Sequence, residues 1–287
     1  MRTWVRFPSP PPLSCTRQAI ALGISYECVE EAFLEQRINM NKKINSMVMV
    51  FLGFSSFLYA EIIELHSVSD VLSHVPSSEK VLAIFDIDNT LVMTDNECGL
   101  GSDGWLSFHA QRISKDHGVS LSEAYNLLLP VYYDINLTKD FSLRPVEWDE
   151  TLSLLYALQE NVDAVIGLTA RSYPIVNRTI DLLKNIGIEF NHSSIKTDDT
   201  IQHDHGCYAS GIGFCGYAKK SFVLDLILKE TGYTCDTIIM VDDKVHYLKD
   251  VEEMLKKNYP HVRFVGIHYV HLKDFVEKYT PAYLNHQ

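Results

Sequence analysis

The stretch VLAIFDIDNT, Val81 to Thr90, decides how this chain is read. Its first five residues, Val81 to Phe85, are all apolar. So short a run without a polar position suits a strand buried on both faces, in the middle of a parallel sheet. It then breaks into Asp86-Ile87-Asp88-Asn89-Thr90, so two carboxylates one residue apart stand where strand gives way to loop. Open α/β sheets bind their ligands beyond the carboxyl ends of the strands. Two close carboxylates repel unless positive charge lies between them, which makes a divalent cation their natural third party.

Outward from this stretch, apolar runs and helical patterns alternate. A helix is predicted over Ser67 to Val75, ahead of the opening strand. The turn-rich segment after Thr90 leads to helices from Trp105 to His117 and from Ser120 to Leu129. Gly118 stops the first, Ser120-Leu-Ser-Glu123 caps the second, and Pro130 is expected to end it. These two helices make a small, mainly helical cap of about residues 96–143, inserted after the first strand. Pro145 reads as a first helical residue, followed by the stripe Trp148, Leu152, Leu155 and Leu158. Val162 to Leu168 is a second buried strand, and a helix runs from about Pro174 to Ile186. Residues 188–217 read as irregular with β-prone pieces; Lys219 to Glu230 is a helix, and Thr237 to Val241 a third buried strand. A helix at 244–257, a strand from Val262 to Ile267 and a last helix near 271–279 finish the pattern. Such alternation predicts an α/β fold, a three-layer Rossmann-like parallel sheet with helices on both faces.

The first sixty residues read differently. Residues 1–39 hold Pro8, Pro10, Pro11 and Pro12 but no sustained pattern, and are read as an upstream non-native extension. From Met40 the layout is that of a signal peptide: Lys42 and Lys43, then the apolar run Met47 to Tyr59, then Ala60 at the expected cut. That run of 13 residues falls short of the roughly 18–20 that span a bilayer. Residues 61–287 are therefore expected to be exported, periplasmic or secreted, without a membrane span. Of 25 Lys and Arg and 37 Asp and Glu, six and four fall before residue 61, which leaves 19 and 33, net −14. A surface this acidic argues against nucleic acid as a partner. Four cysteines remain, Cys98, Cys207, Cys215 and Cys235, with no spacing that fixes a pairing.

Three apolar runs end in groups suited to the same chemistry. These are Asp86 and Asp88, then Thr169, then Asp242 and Asp243. Lys219 and Lys220 stand at the head of the helix before the third run. In a parallel sheet these ends share one edge, bringing together a nucleophile, a proton carrier, a hydroxyl and a cation. Histidines and aspartates at His192, Asp198, Asp199, His203, Asp204 and His205 lack zinc-ligand spacing and read as a solvated loop. Trp105, Phe108 and Trp148 read as core, His268 and His271 as structural, and Asp250, Glu252 and Glu253 as a solvated helix face. Arg171 reads as a surface or salt-bridging residue.

Asp86-Ile-Asp-Asn-Thr90, Leu168-Thr-Ala-Arg171, the Lys at 219 or 220 and Val241-Asp-Asp243 together resemble, in order, the four motifs of the haloacid dehalogenase-like superfamily of phosphohydrolases. The likeness covers about residues 80–270 and is nearest an uncharacterised exported bacterial subfamily; the exported acid phosphatases of the superfamily are more distant. The resemblance implies a phosphomonoester hydrolase that works through an aspartyl-phosphate on a small phosphorylated substrate. Asp86 would be the nucleophile, Asp88 the proton carrier, and Thr169 and Lys220 the phosphate-binding groups. Lys220 is preferred over Lys219 because Leu224 and Ile227 then match the apolar positions of the family's lysine helix. Mg²⁺ would be held by Asp86, the backbone carbonyl of Asp88, Asp242 and, through water, Asp243. Ser221 stands where glycine is usual, and the fourth motif continues into Lys244. The same superfamily holds phosphotransferases, and a binding protein on this scaffold is the alternative to an enzyme.

Overall fold

The computed structural model describes residues 61–279, apart from 78, 97, 191–193, 198, 199, 204 and 205. The expected extension and signal peptide (1–60) lie outside the described residues, as do His192, Asp198, Asp199, Asp204 and His205. Among the described residues no helix is long and apolar enough to cross a membrane.

An eight-stranded sheet forms the middle layer. Its strands are β1 (Glu61–Leu65), β2 (Val81–Phe85), β5 (Ala164–Thr169), β6 (Ile201–His203), β7 (Gly206–Ala209), β8 (Ile212–Phe214), β9 (Thr237–Asp242) and β10 (Arg263–Tyr269). The spatial order is β1-β10-β9-β2-β5-β8-β7-β6. Every pairing from β1 to β8 is parallel; β7 and β6 add antiparallel at one edge. β2, β5 and β9 are wholly buried, as their unbroken apolar runs demand. Period-two geometry divides β2 between two cores: Val81, Ala83 and Phe85 face one, Leu82 and Ile84 the other.

The helices follow this division. α3 (Trp148–Asn161) and α4 (Val176–Asn185) send Leu154, Leu155, Leu158, Leu182 and Leu183 into the first core. α5 (Lys220–Thr231) and α6 (Val245–Asn258) send Val223, Leu224, Ile227, Leu248 and Val251 into the second. Gly213 in β8 lets α5 lie close, since a Cβ there would stand 2.8 Å from Leu168 Cδ1 and 3.1 Å from Ile227 Cδ1. A short helix, α7 (Lys273–Glu277), ends the order.

The chain leaves β2 through a tight loop in which the Ile87 carbonyl accepts from both Leu91 N and Val92 N, at 3.1 and 3.0 Å. Asn89 makes this possible at φ 61°, in the left-handed region that Asn tolerates. β3 (Val92–Thr94) follows and pairs antiparallel with β4 (Leu143–Pro145). Between them stands a helical hairpin, α1 (Asp103–His117) and α2 (Leu121–Thr138). Ser102 Oγ caps α1 through Trp105 N, and Gly118 at φ 67° closes it.

Several local expectations change in the folded chain. The segment before β2 starts with β1, and the helix expected over 67–75 is a 3₁₀ helix, Val68–His74. α2 does not stop at Pro130 but runs on to Thr138 with the proline inside it. Tyr132 and Ile135, both buried beyond the proline, offset the lost hydrogen bond. Pro145 ends an edge strand rather than starting a helix. The buried face of α3 is Thr151, Leu154, Leu155 and Leu158; Trp148 is 59% exposed, with Arg144 over its ring at 5.7 Å. Trp105 is buried, and Phe108 partly so. Of the β-prone pieces expected within 188–217, Tyr208 to Phe214 falls in the hairpin of β7 and β8, whose two turn residues, Ser210 and Gly211, both have positive φ, as a type I′ turn requires, whereas Ile188 to Phe190 forms no strand. Among the described residues, Cys98, Cys207, Cys215 and Cys235 are free thiols.

Candidate active site

The carboxyl ends of β2, β5 and β9 meet at one edge, because the three strands are neighbours and parallel. Asp86 follows β2 directly, and its N–H donates to the Val241 carbonyl at 2.9 Å. That bond holds it beside Asp242, the last residue of β9. The Cys215 N–H donates to the Thr169 carbonyl at 2.8 Å, and Gly216 N to the Arg171 carbonyl at 3.1 Å. The loop after β8 is thereby pinned against the end of β5, and it delivers Lys220 as the first residue of α5.

Lys220 is 1% exposed. Its Nζ donates to Asp86 Oδ1 at 2.6 Å and to Asp242 Oδ2 at 2.7 Å, and lies 4.5 Å from the Tyr247 ring centre. Burial alone would lower the ammonium's pKa; Asp242 and Asp86 reverse this and hold it well above the usual lysine value. Lys219 instead pairs with Asp250 on the surface, at 3.0 Å. The structure thus separates the two lysines that the sequence leaves in competition.

Asp88 sits in a different grip. Arg171 Nε donates to Asp88 Oδ2 and Nη2 to Oδ1, both at 2.8 Å, a bidentate pair. Thr179 Oγ1 accepts from Arg171 Nη1 at 3.2 Å. Arg171 is 4% exposed, so of its two expected placements the surface is excluded and the salt bridge observed. Thr169 Oγ1 accepts the Arg171 N–H at 3.1 Å, which leaves its own O–H free to donate.

Asp86, Asp242 and Asp243 offer carboxylate oxygens that all lie within 4.8 Å of one another. Burial raises the Asp86 pKa well above the usual value, against the lowering effect of Lys220, and Asp242 and Asp243 raise it further. Asp243 is pushed up to about 7, first by burial and then by Asp242 and Asp103, while Lys244 opposes the rise. Asp243 Oδ1 is buried without a hydrogen-bond partner.

Two residues that sequence reasoning missed complete the charge set. Lys244 Nζ donates to Asp103 Oδ2 at 2.6 Å, and its backbone N–H to Asp242 Oδ1 at 2.9 Å. Asp103 opens α1, so the inserted hairpin touches the site directly. Tyr133 of α2 adds a second tie, donating to Ser172 Oγ at 2.7 Å. Lys244 adjoins the paired aspartates in sequence, a signal that was available; Asp103, in a turn-rich stretch, carried none. His268 lies near this edge, its Nε2 3.2 Å from the Asp243 carbonyl. A cavity of about 390 Å³ lies elsewhere, between the base of the hairpin and α4, lined by Asp95, Phe141 and Arg178 among others.

Fold and site together define an α/β protein with a buried carboxylate–lysine centre at the carboxyl edge of a parallel sheet, partly covered by a helical insertion. Residues 64–286 match the family described as "Protein of unknown function (DUF2608)", and the chain belongs to that family. A search of the curated proteins returns no match. Among solved structures, a haloacid dehalogenase-like family hydrolase from Streptococcus pneumoniae is similar at 15% identity and a TM-score of 0.38, over 69% of this chain and 98% of that one. A structure titled as a haloacid dehalogenase-like hydrolase from Burkholderia xenovorans is similar at 15% identity and a TM-score of 0.36, over 70% of this chain and 99% of that one.

Proposed function

We propose that the protein is a Mg²⁺-dependent phosphomonoester hydrolase that uses Asp86 as nucleophile, on a small phosphorylated substrate. One observation carries the reading. A buried lysine bridges Asp86 and Asp242, while an independently clamped carboxylate, Asp88, stands two residues further on. The four sequence motifs meet at this edge, which supports assignment to the haloacid dehalogenase-like superfamily.

The donor set fits a divalent cation. Five carboxylates (Asp86, Asp88, Asp103, Asp242 and Asp243) face three cations (Arg171, Lys220 and Lys244), a deficit of two charges. The unpartnered Asp243 oxygen accords with such a deficit, and the neighbouring carboxylates add to the rise that burial gives the pKa values of Asp86 and Asp243. Asp86, Asp242 and Asp243, with the Asp88 carbonyl, would hold Mg²⁺, an oxygen-ligated hard cation. When bound it supplies charge neutralisation for the phosphoryl oxygens.

The chain's own groups do the rest. An Asp86 oxygen attacks phosphorus, the bond to the leaving oxygen breaks, and Asp88 passes a proton to that oxygen. Water then attacks the aspartyl-phosphate, Asp88 takes its proton, and phosphate and free Asp86 are released. Lys220 offsets the repulsion between carboxylate and phosphoryl oxygens, and the Thr169 O–H donates to one of them. Both Asp88 oxygens now accept from Arg171, which suits the carboxylate that takes a proton from water. In the first step one oxygen carries the proton, and one of those two contacts opens.

Export, with a cut near Ala60, belongs to the same reading; Lys42, Lys43 and the apolar run Met47–Tyr59 support it. The function is tested by phosphate release from a panel of sugar, nucleotide and aryl phosphates in Mg²⁺, with added alcohols to detect phosphoryl transfer. Folded protein that binds Mg²⁺ but acts on no phosphate ester would sink the reading.

A further inference from the structure

We infer that Lys244 is a second phosphate-binding cation, and that Asp103 of the inserted hairpin occupies its place at the site until substrate displaces it. This rests on the phosphomonoesterase reading and adds to it a residue that binds substrate and one that competes with it.

The two lysines of the site are held differently. Lys220 is enclosed, its side chain 1% exposed, and committed to Asp86 and Asp242. Lys244 keeps its backbone fixed by Asp242, but its side chain is 32% exposed and that of Asp103 28%. Water therefore reaches this pair, and an anion arriving from solvent meets Lys244 before it meets Lys220. Lys244 also feels Asp86 and Asp243, so its ammonium belongs to the same cluster as the nucleophile.

Asp103 has no local duty that explains its orientation. The cap of α1 is Ser102, whose Oγ accepts from Trp105 N at 3.1 Å. A first-turn carboxylate gains from the helix dipole whichever way it points. Here it points into the site, where Lys244 above all, then Arg171 and Lys220, act on it. It thus stands where the fields of all three cations overlap, the place to which phosphoryl oxygens are drawn. A phosphate dianion and Asp103 cannot share that place without strong repulsion. Asp103 leaves when the hairpin shifts, and Lys244 then faces the phosphate.

The test is binding of inorganic phosphate to the Mg²⁺-loaded protein by calorimetry, which needs no turnover. Asp103→Asn should bind phosphate about tenfold more tightly than wild type, and Lys244→Met about tenfold more weakly. The double variant, in which neither charge is left without its partner, should bind as weakly as Lys244→Met, because the gain from Asp103→Asn requires the lysine. Lys244→Arg should retain binding. Asp103→Asn that binds phosphate no more tightly than wild type overturns the inference and leaves the phosphatase reading intact, as does a double variant that binds as well as wild type. If no form binds phosphate in Mg²⁺, the inference falls, and the phosphatase reading is judged by turnover of phosphate esters alone.

Discussion

Arg171 grips both carboxylate oxygens of Asp88, at 2.8 Å each, across 83 residues of sequence. Both partners are buried, so neither has water to fall back on. Removing one side of a buried pair strands the other charge, at a cost of about 3–5 kcal/mol. Arg171→Met should therefore lower the unfolding free energy by about that much, measured by urea denaturation. Arg171→Lys, which keeps the charge but loses the fork, should recover part of the stability and little of the phosphatase activity.

Lys220 bridges Asp86 and Asp242 where Mg²⁺ is expected to bind. Lys220→Met should destabilise the metal-free protein by about 3–5 kcal/mol. Added Mg²⁺ should return a larger share of that loss than it adds to wild type, because the cation takes over the neutralisation. Melting temperatures with and without the metal check this. Lys219→Met, by contrast, breaks only a surface pair and should shift stability by less than about 1 kcal/mol.

Asp243, with its pKa pushed up to about 7, should make the proposed Mg²⁺ binding pH-dependent. A proton and a cation compete for its carboxylate, so Mg²⁺ affinity should rise as pH climbs from 6 to 8 and level off above. The sign for stability is the reverse in metal-free protein. Because the folded pKa is raised, the contribution of Asp243 is full below its unfolded value near 3.8 and is lost as pH rises through about 7. Asp243→Asn should make both profiles shallower, with Asp86 keeping its own share of the dependence, which titration calorimetry and thermal melts at a series of pH values will show.

Pro130 lies exposed inside α2, where it removes one backbone hydrogen bond. Pro130→Ala should stabilise the protein, by about 1–3 kcal/mol, since a proline in a helix interior costs roughly 3 kcal/mol relative to alanine. An unchanged or lower melting temperature would mean that the hairpin depends on the bend.

Much of this architecture could be read from local pattern. Short all-apolar runs that alternate with helical patterns suit central strands, and in a parallel sheet the polar residues that end them share an edge. The preference for Lys220 over Lys219 rests on the family resemblance alone; burial separates the two, with Lys220 enclosed between Asp86 and Asp242 and Lys219 paired at the surface. What stayed hidden was set by distant partners. Pro130 is a strong local stop, and only the burial of Tyr132 and Ile135 overrides it. Of the stripe on α3, Leu152, Leu155 and Leu158 do face the core; Trp148 alone does not, because it lies at the surface with Arg144 over its ring. Asp103 and Lys244 meet across 141 residues, and no periodicity announces such a pair. The pairing of β7 with β8 depends on a turn, Ser210-Gly211, whose serine is an uncommon type I′ residue.

The central claim is that Asp86 attacks phosphorus. Its most direct test is phosphate release from an aryl phosphate in Mg²⁺ by wild type and by Asp86→Asn, measured side by side on folded protein. Wild type should turn over, and the variant should lose at least about a thousandfold in kcat, since the amide cannot form the aspartyl-phosphate. An Asp86→Asn protein that keeps activity within tenfold of wild type would contradict the account.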